Sequence, residues 1–340
     1  IKEIEAAYNN ILNSYVEKVD ESELTNAAIK GMYSYLGDPY TSYLDKDSTT
    51  NLMDRLNGEY KGIGVEITST ESGTMVMTVF DGSPASKAGI MVGDIITKVA
   101  DNDVQNSTPS VVSNLIKSTN GTTTIEVLRG GVYKTLEINV EKVSIPSVSS
   151  NNFDGVGYIK ITTFSNNTYE QFKTALSSLE KENIDSLVID VRNNGGGFLN
   201  AAVDIAELFI EKGKNVYGLE TKEKTEYYKD STKESRKYKV GILLNSASAS
   251  ASEILAAALK ESYGATLLGL TSYGKGTVQE TSELETGGMI KYTTAYWLTP
   301  NGNKINNVGL KPDVEITGDY NDDMDYESDT QLLTAIKNMK

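Results

Sequence analysis

The first 57 residues follow a helical pattern. Their apolar side chains recur three and four positions apart, which places them on one face of a helix: Ile4, Tyr8, Ile11, Leu12 and Tyr15. The turn-forming triplet Gly37-Asp38-Pro39 comes next, and a short helix is predicted at 52–56. An apolar stripe of this kind is typical of a core or an oligomer interface, so we expect a helical N-terminal region that supports a homodimer.

Residues 58–142 change to short runs with β-like composition, separated by Gly and Asp turns. The predicted strands cover 64–68, 75–79, 95–99, 123–128 and 136–140, and the predicted helices 84–88 and 110–116.

From residue 143 onward, apolar strands alternate with amphipathic helices. Such alternation favours an α/β core that contains some parallel sheet. The predicted strands are 187–191, 240–244, 265–270 and 290–297, and the helices are 201–212 and 252–261.

Composition narrows the class of protein. The 340 residues suggest two or three domains, and 39% hydrophobic with 23% charged residues is ordinary for a soluble globular chain. A net charge of −15 argues against a nucleic-acid partner. We interpret the acidic stretch around Asp319, Asp322, Asp323 and Asp325 as a solvated, mobile segment.

The chain contains no His and no Cys, which excludes a Ser-His-Asp triad, a Cys nucleophile and Cys/His zinc sites. A hydrolase of this composition must use Ser or Thr with Lys, or carboxylates alone. The absence of Cys is consistent with an exported bacterial protein, so we expect an extracytoplasmic location. The sequence begins at Ile1 rather than Met, and we expect that a signal or membrane anchor has been removed.

A serine-rich segment separates an apolar strand from a helix: Leu244-Asn-Ser-Ala-Ser-Ala-Ser-Ala-Ser-Glu253. One serine could simply cap the helix, with Glu253 in its first turn. However, four serines with small residues between them also permit close approach of a substrate backbone. The free N–H groups at the helix start could then bind an oxyanion. Both interpretations stay open at this point.

Lys275 stands between Gly274 and Gly276, with Gln279 four positions later. With no His available, a neutral Lys is the candidate base for a serine hydroxyl. Its pKa must then fall from about 10.4 to near 7 or 8, which requires a dry pocket. The run 269–275 also matches the first part of a phosphate-binding loop, but Gly276 stands where Ser or Thr would bind magnesium.

A glycine turn, Asn194-Gly195-Gly196-Gly197, follows a predicted buried strand. It can be a tight turn before a helix or a nest of backbone N–H groups for an anion. Because both this turn and the serine segment follow strands of one predicted sheet, they could face each other at its carboxyl edge.

Taken in order, these motifs resemble the carboxy-terminal processing proteases, also called tail-specific proteases, over nearly the whole chain. The N-terminal signature is Leu36-Gly-Asp-Pro-Tyr-Thr-Ser-Tyr-Leu44. Gly62-Ile-Gly-Val65, Gly82-Ser-Pro-Ala-Ser-Lys-Ala-Gly89 and Gly93-Asp94 resemble a PDZ domain. The protease motifs are Ser248-Ala-Ser-Ala-Ser-Glu253, Gly274-Lys-Gly-Thr-Val-Gln279 and Trp297-Leu-Thr-Pro-Asn-Gly302.

The resemblance implies a role for each site residue. Ser250 would be the nucleophile, Lys275 the base and Gln279 its assistant, with the backbone N–H groups of Gly196 and Ala251 as oxyanion donors. One departure concerns the glycine turn, where the family commonly has Asn-Pro-Gly-Gly and this chain has Gly195 in place of Pro. The resemblance thus implies the same chemistry with a looser turn.

For the PDZ-like part, the resemblance implies capture of a peptide C-terminus as an added strand. The expected peptide-binding residues are Gly62, Ile63, Gly64, Val65, Val112, Leu115 and Ile116, although the last three could equally form the core face of their helix. Arg129 could couple peptide binding to the protease core.

The expected fold is therefore multidomain α/β. It comprises an N-terminal helical region (1–57), an inserted PDZ domain that is a partly open β-barrel with two helices (58–142), a protease core with a mixed sheet (143–318) and an acidic C-terminal segment (319–340). The expected function is a serine endopeptidase that forms an acyl-enzyme and cleaves proteins with unstructured apolar C-termini. No cofactor is expected, and an activating protein is possible. A tail-binding scaffold with an inert core and a nucleotide enzyme are the alternatives.

Overall fold

A computed structural model of the chain describes residues 1–285, 287–321 and 326–340. Three residues of the predicted acidic segment, Asp322, Asp323 and Asp325, lie outside the described residues, whereas Asp319 is exposed. No helix in the described ranges is both long and apolar enough to cross a bilayer.

The helices are Lys2–Ser14 (α1), Glu21–Ser34 (α2), Lys46–Asn57 (α3), Pro84–Ala88 (α4), Pro109–Ser118 (α5), Thr168–Lys181 (α6), Leu199–Glu207 (α7), Ala251–Ala258 (α8) and Thr330–Met339 (α9). A π-helical turn, Leu259–Tyr263, extends α8. The strands are Ser42–Leu44 (β1), Glu59–Gly62 (β2), Val65–Thr70 (β3), Gly73–Val79 (β4), Ile95–Val99 (β5), Asn102–Asp103 (β6), Gly121–Arg129 (β7), Val132–Ser144 (β8), Val148–Phe153 (β9), Val156–Ile161 (β10), Ser186–Asp190 (β11), Asn215–Glu220 (β12), Thr225–Lys229 (β13), Lys239–Leu244 (β14), Thr266–Gly269 (β15), Thr277–Glu283 (β16), Met289–Leu298 (β17) and Val314–Glu315 (β18).

The chain divides into two compact units. The first comprises Ile1–Met53, Val191–Gly196 and Ala202–Lys340, and the second comprises Asp54–Asp190 and Gly197–Ala201.

In the first unit, an antiparallel sheet joins the N-terminal region to the core. Its strands run in the order β1-β17-β12-β13, and β16 also pairs with β17. β1 pairs with β17 through Ser42, Tyr43 and Leu44, so the segment just before it, 37–41, lies beside β17. This strand was not predicted from the sequence, which indicated only a turn in that region.

Three parallel strands, β14, β15 and β18, form the second layer of this unit. The C-terminal helix α9 packs on β14 and β15 with Leu332, Ile336 and Met339 buried. Asp329 caps this helix by accepting a hydrogen bond from Leu332 N, and it also forms a buried ion pair with Arg192. The C-terminal segment therefore contains a packed helix, which the sequence interpretation of an acidic, solvated segment had not included.

The second unit contains the PDZ domain, whose strands follow the order β2-β8-β7-β5-β4-β3 with β6 paired to β5. Its core is apolar and includes Val76, Ile96, Ile125 and Ile138. β3 is an edge strand, and α5 packs beside it. The predicted strands and helices of this region all occur, with 84–88 and 95–99 reproduced in full.

The same unit holds β9, β10, β11 and α6. β10 is antiparallel to β9 and parallel to β11, which makes the local sheet mixed. Every residue of β10 and β11 is buried, as expected for strands covered on both faces. The predicted α/β class with a PDZ domain and a mixed sheet is confirmed.

Candidate active site

Ser250 occupies the last position before α8, in the loop that follows β14. Its φ of 56° and ψ of −114° lie in a region that residues with a side chain rarely adopt. Backbone strain of this kind is concentrated at functional sites, where the surroundings hold it in place.

The other serines of the segment have different surroundings. Ser248 Oγ donates to Val191 O at 2.7 Å, and Ser252 Oγ donates to Asn194 O at 2.8 Å, both in buried positions. Ser246 is exposed. Ser248 and Ser252 therefore fasten the loop to the residues around the glycine turn, and Ser250 is the one held in a strained conformation between them.

The glycine turn lies directly against Ser250. Gly196 has a φ of +104°, and a Cβ added there would lie 2.9 Å from Ala249 O, 3.0 Å from Ser250 Cβ and 3.1 Å from Ala251 N. Gly196 N donates to Asn194 Oδ1 at 2.9 Å. The two predicted oxyanion donors thus flank the predicted nucleophile, and a substrate oxygen would compete with Asn194 for the N–H of Gly196.

Lys275 lies in the loop between β15 and β16. A Cβ at Gly276 would lie 2.7 Å from Asn306 N, so only glycine permits the observed approach of the two loops. Trp297 Nε1 donates to Lys275 O at 2.8 Å and fixes its main chain. Strand β16 begins two residues after Lys275, whereas a phosphate-binding loop would lead into a helix.

Burial lowers the pKa of Lys275, and the positive charge of Lys291 lowers it further. Asp38 and Glu253 oppose this change by stabilising the ammonium form. Lys275 Nζ lies over the ring of Tyr40, 4.9 Å from its centroid. Among the described residues, no hydrogen bond joins Lys275 Nζ to Ser250 Oγ.

Glu253 joins the main chains of the nucleophile and the base. Its Oε2 accepts from Ser250 N and from Lys275 N, each at 2.9 Å. Its Oε1 accepts from Gly274 N at 2.7 Å and from Ser272 Oγ at 2.5 Å. Burial raises the pKa of Glu253, and these four donors oppose the change. Sequence reasoning assigned this residue only a role in the first helical turn.

Gln279 lies on β16 with its amide nitrogen bound by two hydroxyl groups. Nε2 donates to Thr277 Oγ1 at 2.9 Å and to Thr293 Oγ1 at 3.3 Å. Thr293 Oγ1 in turn donates to Asp38 Oδ2 at 2.6 Å. Asp38 and Tyr40 therefore reach the site from the N-terminal region. The motif that contains them was noticed in the sequence, but no role was assigned to either residue.

The predicted peptide-binding residues of the PDZ domain have two kinds of environment. Ile63, Val112 and Ile116 are buried in its core, and for Val112 and Ile116, the two that lie on α5, this burial agrees with the core-face alternative. Val65 and Leu115 are partly buried beside that core. Gly62 is the last residue of β2, and Gly64 follows Ile63 in the short loop before β3.

Arg129 forms a contact inside the PDZ domain. Its guanidinium donates to both carboxylate oxygens of Asp94 at 2.6 Å and to Gly89 O at 2.7 Å. A role for Arg129 in coupling peptide binding to activity stays a prediction.

Three family models match successive parts of the chain. Residues 1–48 match the activating protease CtpB N-terminal domain, residues 62–140 match a PDZ domain and residues 155–316 match peptidase family S41.

Curated relatives match along most of the chain. A "probable CtpA-like serine protease" of Staphylococcus haemolyticus (strain JCSC1435) is 38% identical over 320 residues, and one of Staphylococcus aureus (strain N315) is 39% identical over 320 residues. Each alignment covers 93% of this chain and 64% of the relative, so this chain spans less than two thirds of their length.

Solved structures with the same fold include a photosystem II D1 C-terminal processing protease. It is 27% identical, with a TM-score of 0.54 and 92% of each chain covered. An S41 protease of Bacteroides fragilis NCTC 9343 has a TM-score of 0.59 at 16% identity, with 96% of this chain and 92% of that chain covered. The second likeness bears on the fold alone.

Proposed function

Since the chain belongs to peptidase family S41, we propose that it is a serine endopeptidase with Ser250 as nucleophile and Lys275 as general base. One observation carries this proposal. Glu253 binds the backbone N–H groups of both residues through a single oxygen, Oε2, while Gly196 packs against Ser250. A nucleophile, a base and two oxyanion donors are thereby held in one place.

The proposed reaction begins with proton transfer from Ser250 Oγ to neutral Lys275 Nζ as Oγ attacks the substrate carbonyl carbon. The N–H groups of Gly196 and Ala251 stabilise the resulting oxyanion. Lys275 then gives its proton to the leaving amine, and the C–N bond breaks to leave an ester on Ser250. A water molecule, deprotonated by Lys275, attacks this ester, and Ser250 Oγ recovers its proton as the new C-terminus leaves.

This mechanism requires Lys275 to be neutral and close to Ser250. The lowered pKa of Lys275 supports the first requirement. For the second, Nζ must turn from the ring of Tyr40 until it lies within about 3 Å of Ser250 Oγ. Such a side-chain rotation involves no change in the main chain of Lys275, which Glu253 and Trp297 hold.

We propose further that substrates are proteins with unstructured, apolar C-termini, captured by the PDZ domain. The exposed edge of β3 beside α5 supports this, because it can accept a peptide as an added strand. Val65 and Leu115 lie next to this edge and would contact an apolar terminal residue.

The N-terminal region is proposed to form a homodimer. None of the residues of α1 is buried, and the apolar Ile4 and Ile11 on this helix and Tyr15 directly after it are exposed. Regulation by an activating protein stays a prediction. An extracytoplasmic location stays a prediction.

A cleavage assay tests the catalytic proposal and its rivals together. One unfolded polypeptide is prepared with an apolar or a charged C-terminus, and the products are identified by mass spectrometry. We expect faster cleavage of the apolar version and none by Ser250→Ala. Equal cleavage of both versions would refute tail recognition, and full activity of Ser250→Ala would refute the nucleophile.

The scaffold alternative predicts binding of the apolar tail with no cleavage by the wild-type chain. The nucleotide alternative predicts binding of ATP with magnesium, which calorimetry would detect. We expect cleavage and no ATP binding.

A further inference from the structure

The side chains around Gln279 determine the orientation of its carboxamide, that is, which side carries the nitrogen and which the oxygen. A carboxamide presents two N–H donors on one side and an acceptor oxygen on the other, so its orientation follows from its partners. Here both contacts of Nε2 are to hydroxyl oxygens, those of Thr277 and Thr293. The orientation is thus decided by which way each hydroxyl donates its single proton.

Asp38 determines the direction in which the Thr293 hydroxyl donates its proton. Its Oδ2 accepts hydrogen bonds from Thr293 Oγ1 and Thr41 Oγ1, each at 2.6 Å, and its Oδ1 accepts from Tyr40 N at 3.0 Å. Burial raises the pKa of Asp38, but these three donors and the charge of Lys275 together outweigh it and lower the pKa, so the carboxylate is ionised at neutral pH and can only accept. Thr293 must therefore give its one hydroxyl proton to Asp38.

The lone pairs of Thr293 Oγ1 are then left for Gln279. The amide group facing Thr293 must be the N–H donor, because an amide oxygen there would find no proton to accept. With Nε2 held by two hydroxyls, Oε1 lies on the other side of the carboxamide and is its remaining acceptor. Lys275 belongs to the same surroundings, because the charge of Asp38, which binds Thr293, acts on it. An oxygen acceptor can orient the lysine side chain, whereas an N–H group would repel its ammonium form.

We propose that Asp38 is a positioning residue of the active site, which acts through Thr293 to orient the Gln279 carboxamide with its oxygen available to Lys275. The proposal rests on the proposed function, because it assigns a role within the Ser250 and Lys275 chemistry. It also gives the N-terminal region a part in the active site, in addition to any part in dimerisation.

The charged and aromatic surroundings of Lys275 are consistent with this arrangement. Asp38 and Glu253 favour its ammonium form, Lys291 disfavours it, and the ring of Tyr40 lies against Nζ. Asp38 thus acts on Lys275 in two ways, directly through its charge and indirectly through the orientation of Gln279. The two effects can be measured separately, because the charge moves the pH dependence and the orientation changes the maximal rate.

A double-mutant cycle tests this chain of hydrogen bonds from Asp38 through Thr293 to Gln279, which we call the relay. Cleavage of a C-terminally apolar polypeptide is followed from pH 6 to 10 for Asp38→Asn and Thr293→Val, each in the wild-type and in the Gln279→Ala background. In the wild-type background we expect Thr293→Val to lower the plateau kcat about tenfold, the size of one hydrogen bond to a charged group. Asp38→Asn should lower it by a smaller factor, because its remaining oxygen can still accept from Thr293 but as a neutral acceptor. In the Gln279→Ala background, each should change it by less than about twofold.

Two further variants complete the design. Thr293→Ser restores the hydroxyl and should recover the activity lost in Thr293→Val. Asp45→Asn makes the same change at another carboxylate of the N-terminal region and should leave kcat unchanged. Asp45 Oδ1 accepts a hydrogen bond from Ser48 N at the start of α3, in an exposed position. Thermal unfolding is measured for every variant, and Thr293→Val carries the test if Asp38→Asn does not fold.

The outcomes separate the relay from the proposed function. If Asp38→Asn and Thr293→Val lower kcat by the same factor in both backgrounds, Asp38 merely fastens the N-terminal region to β17 and the relay is overturned. If the wild-type chain does not cleave, or Ser250→Ala cleaves normally, the proposed function itself fails.

Discussion

Glu253 accepts hydrogen bonds from Ser250 N, Ser272 Oγ, Gly274 N and Lys275 N, and we call these four contacts the Glu253 clamp. The clamp can be tested by comparing two substitutions that remove different parts of it. Glu253→Gln keeps one carbonyl oxygen and replaces the other by an amide nitrogen, whereas Glu253→Ala removes both. Glu253 is 1% exposed and its carboxylate accepts four hydrogen bonds, so bulk water does not replace the acceptor that the donors lose.

The structure indicates which orientation the glutamine adopts. If its nitrogen replaces Oε1, it can donate to Ser272 Oγ; the Ser272 hydroxyl proton must then turn away from it, and Gly274 N is the one backbone group that loses its acceptor. If the nitrogen replaces Oε2, the N–H groups of Ser250 and Lys275 both lose theirs. The first orientation is favoured, because a buried donor without an acceptor costs about 1–3 kcal/mol.

The two variants should therefore differ in their effect on kcat as well as on the free energy of unfolding. Glu253→Gln should lose about 1–3 kcal/mol of unfolding free energy and stay within about tenfold of the wild-type kcat, because the oxygen that binds Ser250 and Lys275 is kept. Glu253→Ala leaves the N–H groups of Ser250, Gly274 and Lys275 and the Ser272 hydroxyl without this acceptor, at about 1–3 kcal/mol for each donor that stays buried, and should lower kcat by about a hundredfold or more.

Denaturant unfolding and cleavage of the apolar-tailed polypeptide are measured for both variants. Glu261→Gln is the matched control, since Glu261 follows α8 and accepts from Asn301 N at an exposed position. If Glu253→Ala folds and keeps a wild-type kcat, Glu253 does not position the nucleophile and the base, and the reasoning is wrong.

The remaining predictions concern the pH dependence and the oxyanion site. Lys291→Gln removes a positive charge that lowers the pKa of Lys275, so that pKa should rise and the acidic limb of kcat/KM against pH should move to higher pH; a shift to lower pH would contradict this. Gly196→Ala should lower kcat about a hundredfold, because the new Cβ would lie 2.9 Å from Ala249 O and 3.1 Å from Ala251 N at a positive φ, and the turn that carries the Gly196 N–H would have to move. Gly195→Ala, with open space around its Cβ, should cleave nearly normally, and equal loss in both variants would refute the oxyanion assignment.

The parts of the fold with strong local patterns were predictable. The PDZ strands alternate apolar and polar positions, and Ser83 with Pro84 marks the start of α4, so this region was predicted closely. β9 and β13 were missed because their residues are largely polar or exposed. α9 was missed because the acidic residues before it suggested solvation, while its amphipathic face becomes evident only where it packs on β14 and β15.

At the site, motif order predicted which residues the structure brings together, including Ser250, Gly196 and Ala251. It gave no role to Asp38, because only the pairing of β1 with β17 brings a residue of the N-terminal region beside Thr293, more than 250 positions away. The clamp was missed for a related reason. A glutamate three residues after a serine predicts a helix cap, and the same carboxylate also binds the loop that carries Lys275.

The acyl-enzyme is the species that tests the central claim most directly. A slowly deacylated ester substrate is mixed with the protein, the reaction is stopped with acid within milliseconds to seconds, and the intact mass and digested peptides are measured. The account predicts one added acyl group on Ser250, formed faster as pH rises through the lowered pKa of Lys275, and no adduct in Ser250→Ala. Turnover without any adduct, or an adduct on Ser246, Ser248 or Ser252 instead, would contradict it.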